Sequence, residues 1–129
     1  MGAKLYEPYV AVSDPITFAG AGATVQAIDV PAKTLVTDVL LVITTAFVGG
    51  TPSVDVGDGT DPDGWVDSVD ITEGTTGSYK GTETNTAAYL NKGRYYTAAD
   101  TIDAVLSAGL TSGVGYIVAR MIRLDEILP

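Results

Sequence analysis

The chain of 129 residues has a mass of 13.3 kDa, which suits one domain with its own core rather than two domains. Cysteine and histidine are both absent, which excludes disulfides, thiolate or histidine metal sites and the usual catalytic triads. A net charge of −9 argues against a surface that binds nucleic acid, because such surfaces depend on lysine and arginine. We therefore expect no enzymatic activity, no cofactor and no nucleic-acid partner.

The same composition gives no sign of a membrane or secretory protein. Residues 1–8 contain no apolar run after their single lysine, as a signal peptide would require. The longest apolar stretch, residues 39–43, is far too short to span a bilayer. We predict a protein that is made in a cytoplasm and has no membrane partner.

Residues 1–15 are predicted to form an extended N-terminal arm, because Pro8 and Pro15 do not fit a helix. Tyrosine is favoured at protein interfaces, since its ring buries a large area while its hydroxyl stays polar. A short apolar run, 10–12, follows two tyrosines in this arm. We predict that the arm binds a partner through Tyr6, Tyr9, Val10 and Val12.

Segments of β-prone residues follow the arm, separated by turns that contain glycine or proline. Residues 34–47 form the longest of these segments, and the middle of this segment is apolar on both faces. That pattern is typical of a strand that is covered on both sides at the centre of a sandwich. The neighbouring predicted strands are residues 16–19, 24–30 and 53–57.

The second half of the chain gives weaker signals. Residues 65–71 fit either a strand or a helical turn, and residues 72–86 lack aliphatic side chains, which predicts a long loop or an extended hairpin tip. Residues 87–90 and 94–97 flank the turn 91–93 and are predicted to form a hairpin. The last two predicted strands are residues 101–108 and 114–124.

About eight short strands with regular turn signals, and no convincing helix, predict an all-β protein. The architecture expected is a single antiparallel β-sandwich, jelly-roll-like, with the extended arm at its N terminus. The predicted division is an arm over residues 1–15 and a β-sandwich domain over residues 16–129.

Seven acidic residues and no basic one lie between Asp55 and Glu73. Within this stretch, Asp58, Asp61 and Asp63 offer oxygen ligands at the short spacing that suits calcium. However, Gly59 stands where the first ligand of an EF-hand loop should be, and no helices flank the loop. We therefore favour a solvated acidic turn and keep calcium as the alternative.

The chain contains the strings TTAFVGG at residues 44–50, VDVGD at 54–58, DPDGW at 61–65 and YTAADTI at 96–102, together with the proline turn VPAK at 30–33. In these strings and their order it resembles small virion proteins of tailed bacteriophages. The resemblance covers residues 16–124 and implies a jelly-roll or related β-sandwich that decorates or cements a capsid, or lies at the head–tail or tail-fibre position. It implies no catalytic residue.

From this resemblance we expect a non-enzymatic bacteriophage virion protein, made in the host bacterial cytoplasm and located on the capsid surface. As a capsid decoration or cement protein it would stabilise the head by binding across capsomers. Its expected partners are the major capsid protein and itself, as a homo-dimer or homo-trimer. The alternative is a neck, tail or fibre-associated module for carbohydrate binding or host adhesion, with its ligand near Trp65 and Tyr79.

Overall fold

The computed structural model describes residues 7–18, 22–82 and 87–124, which form two antiparallel sheets packed face to face. Within those ranges the one helical element is a 3₁₀ turn at Ser68–Asp70, and no helix is long and apolar enough to cross a membrane. The strands are β1 (Tyr9–Val12), β2 (Ile16–Thr17), β3 (Ala23–Val30), β4 (Thr34–Val48), β5 (Val54–Gly57), β6 (Gly77–Tyr79), β7 (Arg94–Tyr96), β8 (Asp100–Leu106) and β9 (Ser112–Arg123).

The strand order confirms the predicted jelly-roll-like β-sandwich. The larger sheet has the order β1-β9-β4-β6, with β2 also pairing with β9 and β7 with β4, and the smaller sheet has the order β3-β8-β5. Strand β9 therefore lies between β1 and β4, while β8 lies between β3 and β5. The chain crosses repeatedly from one sheet to the other, so β8 and β9, which lie in different sheets, are each flanked by earlier strands.

Strand β4 pairs with β9 along almost its whole length, but the register shifts between Val36 and Asp38. This bulge changes which residues face the second sheet: Thr34 and Val36 are buried before it, and Val39, Leu41 and Ile43 after it. Leu40 and Val42 point to the other side, where they are only partly buried. The prediction that the middle of this strand is covered on both faces is therefore wrong within this chain, since the second sheet covers one face only.

The core lies between the two sheets and is built from alternate residues of their central strands. Strand β9 contributes three fully buried side chains, which the smaller sheet faces with aliphatic side chains from β5 and β8. Because each strand alternates, the residues between these core positions face outward. The core residues of β4, β5, β8 and β9 are Val39, Leu41, Ile43, Val54, Val56, Ile102, Ala104, Leu106, Ile117, Ala119 and Met121.

Residues 65–71, which fitted either a strand or a helical turn, form a single bridge from Val66 to Val56 and then the 3₁₀ turn. Two other local predictions differ from the structure. The predicted loop 72–86 contains β6, which pairs with β4. The predicted hairpin is wrong: residues 87–90 form a turn, with the Tyr89 amide donating to the Gly64 carbonyl, while β7 pairs with β4 instead.

Glycine at position 113 is required by packing as well as by backbone geometry. Its φ of +139° lies in the region that side chains disfavour, and a Cβ there would overlap the Phe47 ring in the core. We expect Gly113→Ala to lower the free energy of unfolding by about 2–3 kcal/mol, measured by urea denaturation. Gly59→Ala is the matched control, because a Cβ at Gly59 meets nothing within 4 Å. Equal effects of the two substitutions would contradict this account.

Candidate interaction surface

We call the side of the larger sheet that points away from the second sheet the outer face. The centre of this face is apolar. Its first row crosses three strands, since Val12 is the Cα partner of Val118 and Val118 that of Leu40. The next row pairs Tyr116 of β9 with Val42 of β4. Val10 and Val12 are each 62% exposed. An apolar row of this length on a sheet surface is a candidate interaction site. The residues that define the apolar centre of the outer face are Val10, Val12, Leu40, Val42, Tyr116 and Val118.

Charged residues border this apolar centre. Asp38 and Arg120 are Cα partners across β4 and β9, and the Lys80 ammonium lies 3.7 Å from the Asp38 carboxylate. A groove of about 270 Å³ runs between them, with Leu40 and Val118 among its lining residues. An apolar centre with a polar rim is the usual anatomy of a protein–protein interface.

The outward side of the smaller sheet is different in character. Its register places Thr24, Gln26, Asp55 and Asp103 on that side, with Val105 as the aliphatic residue on its central strand β8. The two sheets therefore present unlike surfaces, one apolar with charged residues of both signs at its rim and the other polar and acidic.

The described residues among those predicted to bind a partner lie on opposite sides of the larger sheet. Val10 and Val12 lie on the outer face, whereas Tyr9 is on the opposite side of β1, as the Cα partner of the buried Met121. Tyr6 lies outside the described residues. Strand β1 pairs with β9 of its own chain, so residues 9–12 belong to the larger sheet.

The acidic loop is organised around Asp58, which the sequence analysis placed in a solvated turn. Its carboxylate is buried, with 1% of the residue exposed, so that prediction is wrong at this position. The amides of Thr60 and Asp61 donate to Oδ1 at 3.0 and 2.8 Å, and the Tyr96 hydroxyl donates to Oδ2 at 2.8 Å. The Nε atom of Arg94 lies 3.2 Å from Oδ2.

Aromatic side chains enclose this ion pair. The Arg94 guanidinium carbon lies 4.7 Å from the ring centre of Tyr89 and 5.1 Å from that of Tyr96, distances that allow cation–π attraction. Burial, aided by the charge of Asp58, raises the pKa of Tyr89 to about 12 and raises that of Tyr96 as well. Both hydroxyls therefore stay protonated and able to donate near neutral pH. Trp65 completes the cluster by donating from Nε1 to the Tyr96 hydroxyl at 3.3 Å.

A second group of carboxylates lies beside the loop. One oxygen from each of Asp55, Asp63 and Asp67 falls within 4.8 Å of the others. Burial, together with the charges of Asp67 and Asp63, raises the pKa of Asp55, which also accepts a hydrogen bond from the Ser68 amide at 2.7 Å. Of the three residues in the calcium prediction, Asp63 belongs to this group, while the Asp58 carboxylate is occupied by protein donors. The calcium site remains a prediction.

Of the two residues named for carbohydrate binding, Trp65 is not accessible to a ligand and Tyr79 is only partly buried. Trp65 is buried, and its ring packs edge-on against Tyr89 with centroids 5.3 Å apart. The Tyr79 hydroxyl donates to the carbonyls of Thr72 and Thr75. Stacking against a sugar requires an accessible aromatic ring. The adhesion alternative depended on the Trp65 indole for this contact, and the buried indole does not provide it.

The likeness of this chain to known proteins lies in its fold. No protein-family model matches the sequence, and no curated protein matches it. A chain of the cyanophage Pam1 capsid asymmetric unit superposes with a TM-score of 0.70 and 14% identity, covering 95% of this chain and 90% of that one. A chain of the acidic stable capsid structure of Helicobacter pylori bacteriophage KHP30 gives a TM-score of 0.59 and 12% identity, with 92% of each chain covered. The chain therefore shares its β-sandwich fold with chains found in phage capsid structures.

Replacing the buried carboxylate tests whether the Asp58 cluster stabilises the fold. We expect Asp58→Asn to lower the free energy of unfolding by about 2–4 kcal/mol, because an amide would leave the Arg94 cation without its counter-charge. The measurement is urea denaturation, with Asp29→Asn as the control that makes the same charge change at an exposed position. A loss no larger than that of the control would contradict the role assigned to this cluster.

The raised pKa of Asp55 predicts a dependence of stability on pH. The folded state binds this proton more tightly than the unfolded chain, so the unfolding free energy increases as the pH falls through the folded-state pKa toward the ordinary value of 3.8. Burial raises the pKa of Glu73 and Asp103 in the same direction.

We therefore expect a smaller gain in melting temperature between pH 7.5 and pH 4.5 for Asp55→Asn than for the unmodified protein. Asp14→Asn, at an exposed position, should retain the full gain. Identical pH profiles for the Asp55 variant and the unmodified protein would show that this carboxyl does not contribute.

Proposed function

We propose that this chain is a non-enzymatic structural protein of a bacteriophage virion, acting as a capsid decoration or cement protein. In this role it stabilises the head by binding the major capsid protein across capsomers, on the capsid surface, as a homo-oligomer. The observation that carries the proposal is the outer face: an apolar sheet surface on a fold shared with chains of phage capsid structures.

The chemistry of the chain supports an adhesive role. Burying apolar surface is favourable in proportion to the area removed from water, and Val12, Val118 and Leu40 form a continuous apolar row for that purpose. The smaller sheet turns a polar, acidic side outward, which suits a surface that stays in contact with water. Binding through the larger sheet would thus leave the acidic side exposed to solvent.

A homo-oligomer would strengthen such binding. Closed symmetry repeats the same outer face two or three times, so that one assembly contacts several capsid subunits at once. Linked contacts of this kind raise the overall affinity without any new contact per subunit. This is how weak individual surfaces would hold neighbouring capsomers together.

The copy number of the chain in purified phage particles tests the proposal directly. We expect quantitative mass spectrometry to find the chain at one copy per major capsid subunit, or at a simple fraction of that number. A ratio tens of times lower would place it at the neck or tail and favour the adhesion alternative. Its absence from the particles would overturn the virion role.

A charge introduced on the outer face tests which surface binds the capsid. We expect Val118→Lys to weaken binding to capsids that lack this protein by at least about tenfold, because the lysine charge would have to be desolvated at the interface. The matched control is Val105→Lys, which places the same charge on the outward side of the central strand of the smaller sheet. Both variants should keep the melting temperature of the unmodified protein within a few degrees. Equal binding by the two would show that the outer face is not the capsid contact.

A further inference from the structure

Strand β1 forms one edge of the larger sheet, and its free side carries unpaired backbone groups. The Ser13 amide donates to the Ile117 carbonyl at 2.9 Å, which continues the register between β1 and β9. Successive residues of an antiparallel ladder point their N–H and C=O groups alternately toward and away from the neighbouring strand. The backbone groups of Val10 and Val12 therefore point to the free edge, with which no strand pairs within the described residues.

The edge continues beyond β1 as far as Asp14. A residue that precedes proline favours the extended conformation, and Asp14 precedes Pro15. Val12 and Asp14 are exposed, whereas Ser13 between them is buried. This alternation places the Asp14 side chain on the same side of the sheet as that of Val12. Val10, Val12 and Asp14 thus combine outward backbone groups with side chains on the outer face.

The strand itself lacks the features that usually prevent one sheet from pairing with another. Proteins commonly protect edge strands with lysine, with proline or with a bulge inside the strand. The segment Tyr9–Val12 pairs with β9 without a shift in register and carries no charge. Pro8 has no N–H and limits the length that can pair at the N-terminal end. The edge therefore offers a short ladder with a defined beginning.

The charges beside this edge are complementary to those of a second copy of the same chain. Arg120 is exposed and is the Cα partner of Val10. Neither Arg120 nor Asp14 forms an ion pair within the described residues, and along a regular ladder they lie about 14 Å apart in one chain. A second copy can run antiparallel to the edge with its Val12 opposite this Val12. Its Asp14 then lies opposite Val10, two strand spacings from Arg120, which is about 10 Å between Cα atoms and can be spanned by the two side chains.

We propose that two copies of this chain pair through their β1 edges about a two-fold axis at Val12, with Asp14 of each copy bound to Arg120 of the other. The two Val12 residues exchange backbone hydrogen bonds at the axis, and Val10 pairs with the partner's Asp14 on either side. Two-fold symmetry makes each contact twice, so the interface contains two such ion pairs. The proposal rests on the virion role argued above and specifies its homo-oligomer as a dimer.

This pairing joins the two outer faces into one continuous surface. In each copy the apolar row of Leu40, Val118 and Val12 ends at the β1 edge. Residues opposite one another in an antiparallel pair share a face of the sheet, so the row continues from Val12 into the partner's Val12 without a charged residue between them. The dimer would present a wider apolar surface to the capsid than one copy does.

The overall charge of the chain sets the conditions under which the dimer should be studied. A net charge of −9 on each copy opposes association. At an ionic strength of about 0.15 M, exposed charges are screened over about 8 Å, so the general repulsion is reduced while the closer contact of Asp14 with Arg120 persists. We expect sedimentation velocity at this ionic strength to show a species of twice the 13.3 kDa mass of one chain.

A single introduced cysteine tests the position of the axis, because the chain has no cysteine of its own. We expect Val12→Cys to form a disulfide between copies on oxidation, since opposite residues in a hydrogen-bonded pair have Cα atoms about 5.5 Å apart. Val10→Cys is the matched control: it is equally exposed, but its counterpart would lie about 14 Å away, which no disulfide spans. On a non-reducing gel, any pattern other than a dimer band confined to Val12→Cys would overturn the proposed pairing.

Opposite charge reversals test the ion pair between copies. Asp14→Arg and Arg120→Asp each place two like-charge pairs in the interface, so we expect each variant alone to self-associate at least about tenfold more weakly. An equimolar mixture of the two variants restores opposite charges at both contacts, and we expect it to form a heterodimer. Asp29→Arg, at an exposed position of the smaller sheet, is the control and should dimerise normally. A mixture that stays monomeric would contradict the assigned contact.

The dimer and the virion role fail on different observations. A protein that stays monomeric at about 0.15 M ionic strength would overturn the dimer. That result would leave the virion role standing, because the role is tested by the copy number of the chain in particles. Absence of the chain from particles would overturn the virion role and leave the measured dimer unaffected.

Discussion

The antiparallel ladder between β4 and β9 is the interaction on which the rest of the structure depends. These are the two longest strands, and their register decides which side chains enter the core and which form the outer face. The bulge between Val36 and Asp38 reverses the alternation of β4, which keeps Val36 and Val39 both buried. Without that shift, a strict period of two would place one of these two valines on the outer face. The apolar face proposed for capsid binding is thus a consequence of how the core is filled.

A buried charge provides the second constraint. Asp58 lies in the turn after β5, whereas Arg94 and Tyr96 belong to β7, in the other sheet. An isolated carboxylate would be costly in this interior, but backbone amides, tyrosine hydroxyls and a guanidinium compensate the loss of water. These contacts connect the acidic loop to the larger sheet, and the hydrogen bond from Trp65 to the Tyr96 hydroxyl adds to the connection. The loop therefore stabilises the sandwich, and its remaining carboxylates, which lie around Asp55, are partly buried.

The two outward sides of the sandwich have different roles in the function proposed for this protein. One side presents apolar rows, a groove and an edge strand with available backbone groups. The other side is polar: Thr24 and Gln26 are exposed there, and Asp103, which is buried, accepts a hydrogen bond of 2.6 Å from the Thr101 hydroxyl. Adhesion requires an apolar surface, whose removal from water is favourable. Solubility requires a polar surface that stays hydrated. A single sandwich supplies both because alternate residues of each strand serve the core and the surface separately.

Local sequence patterns alone were sufficient to predict the all-β class, the sandwich, the long strand at 34–47 and the last strand at 114–124. They were sufficient because β-branched runs and glycine or proline turns act over a few residues. Val10 and Val12 were also recognisable as exposed apolar residues. Only the tertiary structure decided that β1 pairs with β9, that Tyr9 faces the other way and that Asp58 is buried beside Arg94. Those outcomes depend on pairings between residues far apart in the chain, such as Asp58 with Tyr96, and no local pattern specifies which distant strand will supply the partner.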